Sequence, residues 1–156
     1  MENLAYPADQ DHVIWVGSAD GHGNKSPFTP SHSASSSTYH FIALGEGVRS
    51  SWPRARGGPY MARSGTSYAT AVAVGLAASV MDFLRFKLWN ENPDSAERYL
   101  LEKLRSRRGM QKVLFAIAHQ TSDGYHNLAP WKLFDKYSES RSNEVKDQLR
   151  WILESV

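Results

Sequence analysis

The sequence predicts an α/β fold in which short strands lead into one central apolar helix and a helical C-terminal extension follows. Three observations carry this. Residues 12–17 and 39–44 are short β-branched or aromatic runs bounded by turn residues, the profile of buried strands. From Ala69 to Met81 only Thr70 and Ser79 are clearly polar, so the segment reads as a helix apolar all round, which has to be buried. Beyond Pro93 the apolar residues recur at helical spacing.

At 156 residues, 41% hydrophobic and 22% charged, the chain suits one globular domain with a core and is not a disordered one. Its formal net charge of +2 is spread over both halves and gives no case for a nucleic-acid partner or a polybasic membrane anchor. Cysteine is absent. That excludes disulfides and thiolate metal sites and fits a reducing compartment. Met1 to Pro7 shows neither a basic stretch nor an apolar core of a secretory signal, so the expectation is an intracellular protein.

The first strand, His12-Val13-Ile14-Trp15-Val16-Gly17, runs into the turn Ala19-Asp20-Gly21-His22-Gly23-Asn24, where Gly and Asn supply the positive-φ positions. His22 in that turn and His32 in the Ser-rich loop 30–37 read as solvated loop residues. His12 and His40 flank strands, and His119 and His126 lie late in the chain. No pair of histidines has metal-ligand spacing, so no metal and no cofactor is expected. Tyr39 to Leu44 forms the second strand, ended by Gly45-Glu46-Gly47. Residues 52–61, with Pro53, Gly57, Gly58 and Pro59, read as a loop delivering the chain to Gly65. Arg54, Arg56 and Arg63 read as a solvated basic cluster around it.

The helix is expected from about Gly65 to about Leu88. With Asp82, Arg85 and Lys87 closing its apolar run, that run is too short for the about 20 residues a bilayer requires. Gly65 gives a tight entry and Thr66 a cap, so the backbone N–H groups of the first turn stand around Ser67 in an anion-friendly place. On this pattern alone Ser67 is either a capping residue or a nucleophile. Asp94 or Ser95 then caps a helix with Glu97 in its first turn and Tyr99, Leu100, Leu101 and Leu104 on its apolar spacing. Arg105, Arg107 and Arg108 suit its C-terminus, and Gly109 ends it. Met110 to Ala118 is a further helix burying Val113, Leu114, Ala116 and Ile117. Asp123-Gly124 is a turn, Trp131, Leu133 and Phe134 a packing cluster, and Asn143 to Leu153 a last amphipathic helix using Val145, Leu149, Ile152 and Leu153. No internal repeat is present.

Gly65-Thr66-Ser67-Tyr68-Ala69-Thr70 resembles the active-serine motif of the subtilisin-like serine proteases (subtilases, peptidase S8 family), Gly-Thr-Ser-Xaa-Ala-(Thr/Ser)-Pro before a Val/Ala-Gly-rich helix. Ala71 stands where the family has proline. Tyr6-Pro7-Ala8, the run Val13 to Gly17, then Asp20, Gly21 and Ser26-Pro27-Phe28 follow the order of the subtilase segment that leads to this serine. Ala43-Leu44-Gly45 and Val48-Arg49-Ser50 match the family's Ala-Pro-Gly turn and Val/Ile-Xaa-Ser strand, except at Leu44. The likeness covers roughly residues 6–85. A weaker one, in the segment Ala129-Pro130-Trp131-Lys132-Leu133, links the tail to intracellular subtilase-like domains of filamentous fungi.

The resemblance implies a partial subtilisin-like three-layer fold with a parallel sheet and a buried central helix, with residues 1–90 as the C-terminal part of a peptidase domain and 91–156 as a helical extension packed on it. It implies a serine endopeptidase in which Ser67 is the nucleophile, its backbone N–H an oxyanion donor, and Gly65 and Thr66 shape the turn. The family's chain order is Asp, His, Ser. The triad aspartate and histidine and the oxyanion asparagine would then precede this chain, which reads as a fragment. Its expected partners are the missing upstream half of the domain and a polypeptide substrate, with no nucleic acid and no membrane. Two other classes are weighed against this. Leu44 and Ala71 in place of two family prolines suit a catalytically dead interaction module. An α/β hydrolase of another type would need Gly-Xaa-Ser-Xaa-Gly, and Ala69 occupies the last glycine's place.

Overall fold

A computed structural model describes residues 10, 12–31, 39–88, 94–131 and 142–155. In chain order the elements are β1 (Val16–Ala19), β2 (Phe41–Leu44), β3 (Val48–Ser51), β4 (Tyr60–Arg63), α1 (Thr66–Leu88), α2 (Ser95–Arg105), α3 (Arg107–Ala116), β5 (Ala118–Gln120), β6 (His126–Leu128) and α4 (Ser142–Glu154). Four strands form one sheet in the order β1-β2-β6-β5. β1, β2 and β6 are parallel, with Val16 beside Phe41 and Phe41 beside His126, and β5 runs antiparallel to β6. β3 and β4 make a separate antiparallel hairpin. This is a mixed α/β architecture of parallel sheet and helices, as the sequence predicts.

Alternation along the strands sorts the core. Phe41 and Ala43 join Ala69, Ala73, Val80 and Leu84 of α1 in the main cluster, which continues into Leu100 and Leu104 of α2, Val113 and Leu114 of α3, and Val145, Leu149, Ile152 and Leu153 of α4. Ile42 points to the other face, with Trp15, Ala19 and Tyr125. There the Tyr125 hydroxyl donates to the Pro30 carbonyl at 3.1 Å, tying the loop after β1 to the far end of the chain.

Several boundaries differ from the sequence reading. β1 begins at Val16 because the chain before it is a turn closed by Val13 N–H on the Gln10 carbonyl at 3.0 Å. Residues 60–63 form β4, whose first two residues fall in the expected loop 52–61. Residues 118–120 and 126–128, assigned to no strand, complete the sheet through β2, so the tail shares the sheet of the preceding segment. Asp94 does cap α2, in a reciprocal capping box with Glu97. Gly109 does not end that helix. Ser106 serves as C-cap of α2 and N-cap of α3, and Gly109 is buried in the first turn of α3. Of the expected packing cluster, Trp131 is exposed and Leu133 and Phe134 lie outside the described residues, as do His32 and Tyr6-Pro7-Ala8.

α1 matches its predicted span, but burial all round is met on one face only. Ala69, Ala73, Val80 and Leu84 are buried, while Ala71, Val74, Gly75 and Ala78 are exposed, Val74 by 62%. The stretch Thr66–Phe86 is long and apolar enough, by length and composition alone, to cross a bilayer, contrary to the expectation that it is too short. Its packing against β1 and β2 places it in a core. Val74 and Phe86, with Ala71 and Ala78, put apolar side chains on the uncovered face, where a partner surface would bury them. The isolated 156-residue chain is therefore expected to bind a hydrophobic dye and to self-associate on gel filtration. A monomeric, dye-silent sample with one cooperative unfolding transition would contradict this.

Candidate active site

Three backbone steps carry the chain from the sheet to Ser67. The Ala19 carbonyl at the end of β1 accepts from Gly45 N–H at 2.9 Å, and the Gly45 carbonyl just past β2 accepts from Gly65 N–H at 2.8 Å. The Gly65 carbonyl then accepts from the N–H groups of Tyr68 and Ala69, at 3.1 and 3.4 Å, and so starts α1. Ser64 is pinned beside this relay, since Gly47 N–H donates to its hydroxyl at 3.0 Å.

Glycine at position 45 is a steric requirement. A β-carbon there would lie 2.4 Å from the Ser18 hydroxyl, 2.9 Å from the Gly65 carbonyl oxygen and 3.0 Å from the Ala69 β-carbon. The strand end, the turn and the helix can meet only around a residue without a side chain. Beneath them, Ser26 donates to the Ser18 hydroxyl at 2.8 Å, and the Thr29 hydroxyl donates to the Ser18 carbonyl at 2.9 Å and accepts from its N–H at 2.8 Å. All three side chains are buried, and this satisfied network fixes the edge of β1 under the turn. Gly45 and Ser26 enter the sequence reading as matches to the subtilase segment, without a role in holding the turn, and Ser18 is not singled out there. The signal for Gly45 was its place immediately after an apolar run.

Ser67 is the second residue of α1 and is exposed, in the first turn as the sequence predicts. Thr66 is the first helical residue rather than the cap. The Thr66 and Ser67 N–H groups have no backbone partner among the described residues. Ser67 thus sits at the carboxyl end of parallel strands, at a helix N-terminus, with its hydroxyl open to solvent. Such a place suits a group that attacks a carbonyl and donors that receive the resulting negative charge.

Two of the described histidines are packed in the sheet. His40 precedes β2 and is buried between Trp15 and Tyr125, at ring distances of 5.3 and 6.5 Å. His126 pairs with Phe41 at the amino end of β2, with the rings of Tyr39 and Phe115 at 5.7 and 5.0 Å. Both therefore belong to the sheet end opposite Ser67. His12 and His119 are exposed. His22 lies 4.0 Å from Asp20, but its side chain is 90% exposed. Asp20 is occupied by its own turn, accepting from His22 N–H, Asn24 N–H and the Asn24 side-chain amide at 2.9–3.0 Å. The Asn24 amide is the main cause that holds the Asp20 carboxyl below its ordinary range, followed by the Asn24 backbone N–H. This is an Asx-type turn and not a base with its orienting carboxylate. Among the described residues there is also no group of three or more His, Cys, Asp or Glu side chains that could hold a metal.

The chain is similar to known proteins in sequence and in fold. The family model described as the subtilase family, Peptidase S8, matches residues 1–125. A curated relative, the subtilisin-like protease het-Q2 of Podospora anserina, is 31% identical over 156 residues, covering 96% of this chain and 42% of its own length. A solved structure, that of the prenylagaramide maturation protease PagA, shares the fold with a TM-score of 0.53 at 22% identity, over 92% of this chain and 45% of that one. The chain thus spans less than half the length of either protein.

Proposed function

The chain belongs to the subtilase family, and from that premise we propose that it carries the nucleophile-bearing part of a serine endopeptidase, with Ser67 attacking the scissile carbonyl. The observation that supports this most is the relay from Ala19 through Gly45 to Gly65, which sets an exposed serine at a helix N-terminus over the carboxyl end of parallel strands.

Attack by the Ser67 oxygen on the peptide carbon would convert the carbonyl into a tetrahedral oxyanion. The Ser67 N–H, without a backbone partner among the described residues, would receive that charge. The serine proton needs a base within roughly 2.6–3.2 Å, and a carboxylate to orient that base. We assign both to polypeptide outside these 156 residues, because two of the described histidines are committed to the opposite sheet end and His22 to a solvent-facing turn. A serine without a base is a poor nucleophile. The 42% coverage of the relative fits a chain that needs a complementary half. The exposed face of α1 is a surface for it.

The test is turnover of a fluorogenic peptide by this chain fused behind the upstream segment of a subtilase domain. Activity is expected in the fusion and a loss of at least about 10³-fold in its Ser67→Ala form. A fusion that folds, as judged by a single cooperative transition, and yet has no Ser67-dependent activity would favour the second reading. That reading is a protease-like interaction module, supported by Leu44 and Ala71 at the two family proline positions.

A further inference from the structure

We propose that Arg63, held over Trp52 on the β3–β4 hairpin, selects an acidic side chain in the polypeptide that reaches Ser67. The inference rests on the peptidase reading above and adds a substrate class to it. From Gly47 to Met81 the chain has four arginines, Arg49, Arg54, Arg56 and Arg63, and no acidic residue. None of the four forms an ion pair with a described residue. This local excess of positive charge contrasts with a whole-chain net charge of only +2.

The hairpin register decides which arginine matters. Val48 pairs with Arg63 and Ser50 with Met61, so these side chains share one face, while Arg49 and Tyr60 lie on the other. The first face is partly covered, with Val48, Trp52 and Met61 half-buried. On it the Arg63 guanidinium stacks 4.9 Å above the Trp52 ring, and its Nε donates to the Met61 sulfur at 3.1 Å. Stacking on an indole restrains the guanidinium without neutralising it, and leaves its terminal nitrogens free to take a carboxylate in two parallel bonds. Arg63 lies four residues before Ser67, and the base of its hairpin is tied to Ser64 through Gly47 N–H. A peptide over Ser67 therefore has a fixed cation and an apolar shelf beside it. A nucleic acid is the poorer match, since Arg49 and Arg63 lie on opposite faces of the hairpin and Arg54 and Arg56 lie in the turn between its strands, so the four do not line one face along a phosphate backbone.

The test is fluorescence anisotropy of the 156-residue chain with labelled twelve-residue peptides that carry either glutamate pairs or the same peptide with glutamine. The acidic peptide should bind at least about tenfold tighter at low salt, with the preference shrinking as salt rises. Arg63→Gln should erase most of the preference, Arg63→Lys should keep part of it, and Arg98→Glu, an exposed arginine on α2, should leave it intact. Two Arg63 variants guard against one that misfolds, which circular dichroism would show. Equal binding of both peptides overturns the proposal. So does an unchanged preference in a folded Arg63→Gln chain, or a single-stranded oligonucleotide of the same charge that binds as tightly as the acidic peptide. Ser67→Ala should retain the preference, so the result stands or falls apart from whether Ser67 is a nucleophile.

Discussion

Gly109→Ala is expected to lower the stability of the chain by about 1–2 kcal/mol, although alanine is the better helix former. The added methyl would favour α3 by about 1 kcal/mol of helix propensity. It would also lie 2.0 Å from the Lys103 carbonyl oxygen and 2.7 Å from its carbon. Both are backbone atoms of α2, so no side chain can rotate away. Lys103 is itself fixed, because its carbonyl accepts from the Ser106 hydroxyl at 2.6 Å and from Ser106 N–H at 3.0 Å. Relieving the clash means prising α2 from α3 and disturbing Leu100, Leu104, Val113 and Leu114 in the shared core. Forced core rearrangements of this kind cost about 1–3 kcal/mol, and a clash with backbone belongs to the upper part of that range, so a net loss of about 1–2 kcal/mol remains after the propensity gain. Gly75→Ala gives the opposite sign. Gly75 is exposed in α1 and a β-carbon there meets nothing within 4 Å, so a gain of about 0.5–1 kcal/mol is expected. Urea denaturation of the two variants beside the parent measures both. A Gly109→Ala chain as stable as the parent would show that α2 and α3 do not approach this closely.

The span of α1 and the placing of Ser67 were legible because both follow from local residues: small apolar side chains without interruption, and a Gly-Thr-Ser entry. α4 was legible for the same reason, its four apolar positions all buried as the spacing predicts. β5 and β6 were not. Each has three residues, Ala-His-Gln and His-Asn-Leu, without alternation, and β6 is a strand only because β2 lies beside it. β4 escaped notice because three of its four side chains are exposed, so no apolar pattern marks it. Its support is the pairing with β3 and the guanidinium stacks on Trp52 and Tyr60. Gly109 misled because glycine after a cluster of arginines is a common helix end, whereas its role here is to let two helices touch. Ser106, three residues earlier, carried the true signal, since its hydroxyl caps Gly109 N–H at 3.1 Å.

At the site, the motif identified the serine and its turn but not what holds them. The contacts of Gly45 with Ser18, Gly65 and Ala69 join segments up to 51 residues apart (69 minus 18), and nothing local encodes them. The expectation of an all-round buried helix was sound physics applied to a helix that this chain covers on one face. The apolar residues of the other face, Ala71, Val74 and Ala78, are the surface on which the proposed complementary half would pack.

The most direct measurement of whether Ser67 is a nucleophile awaiting its base is labelling by a fluorophosphonate probe, with the modified residue located by peptide mapping. The reagent reports an activated serine without requiring a known substrate. The 156-residue chain alone is expected to remain unlabelled, and the same chain joined to an upstream half that supplies the histidine and aspartate is expected to be labelled at Ser67 and at no other serine. Labelling should vanish in Ser67→Ala. Rapid, Ser67-dependent labelling of the 156-residue chain by itself would contradict this, and would mean that a histidine within it completes the site.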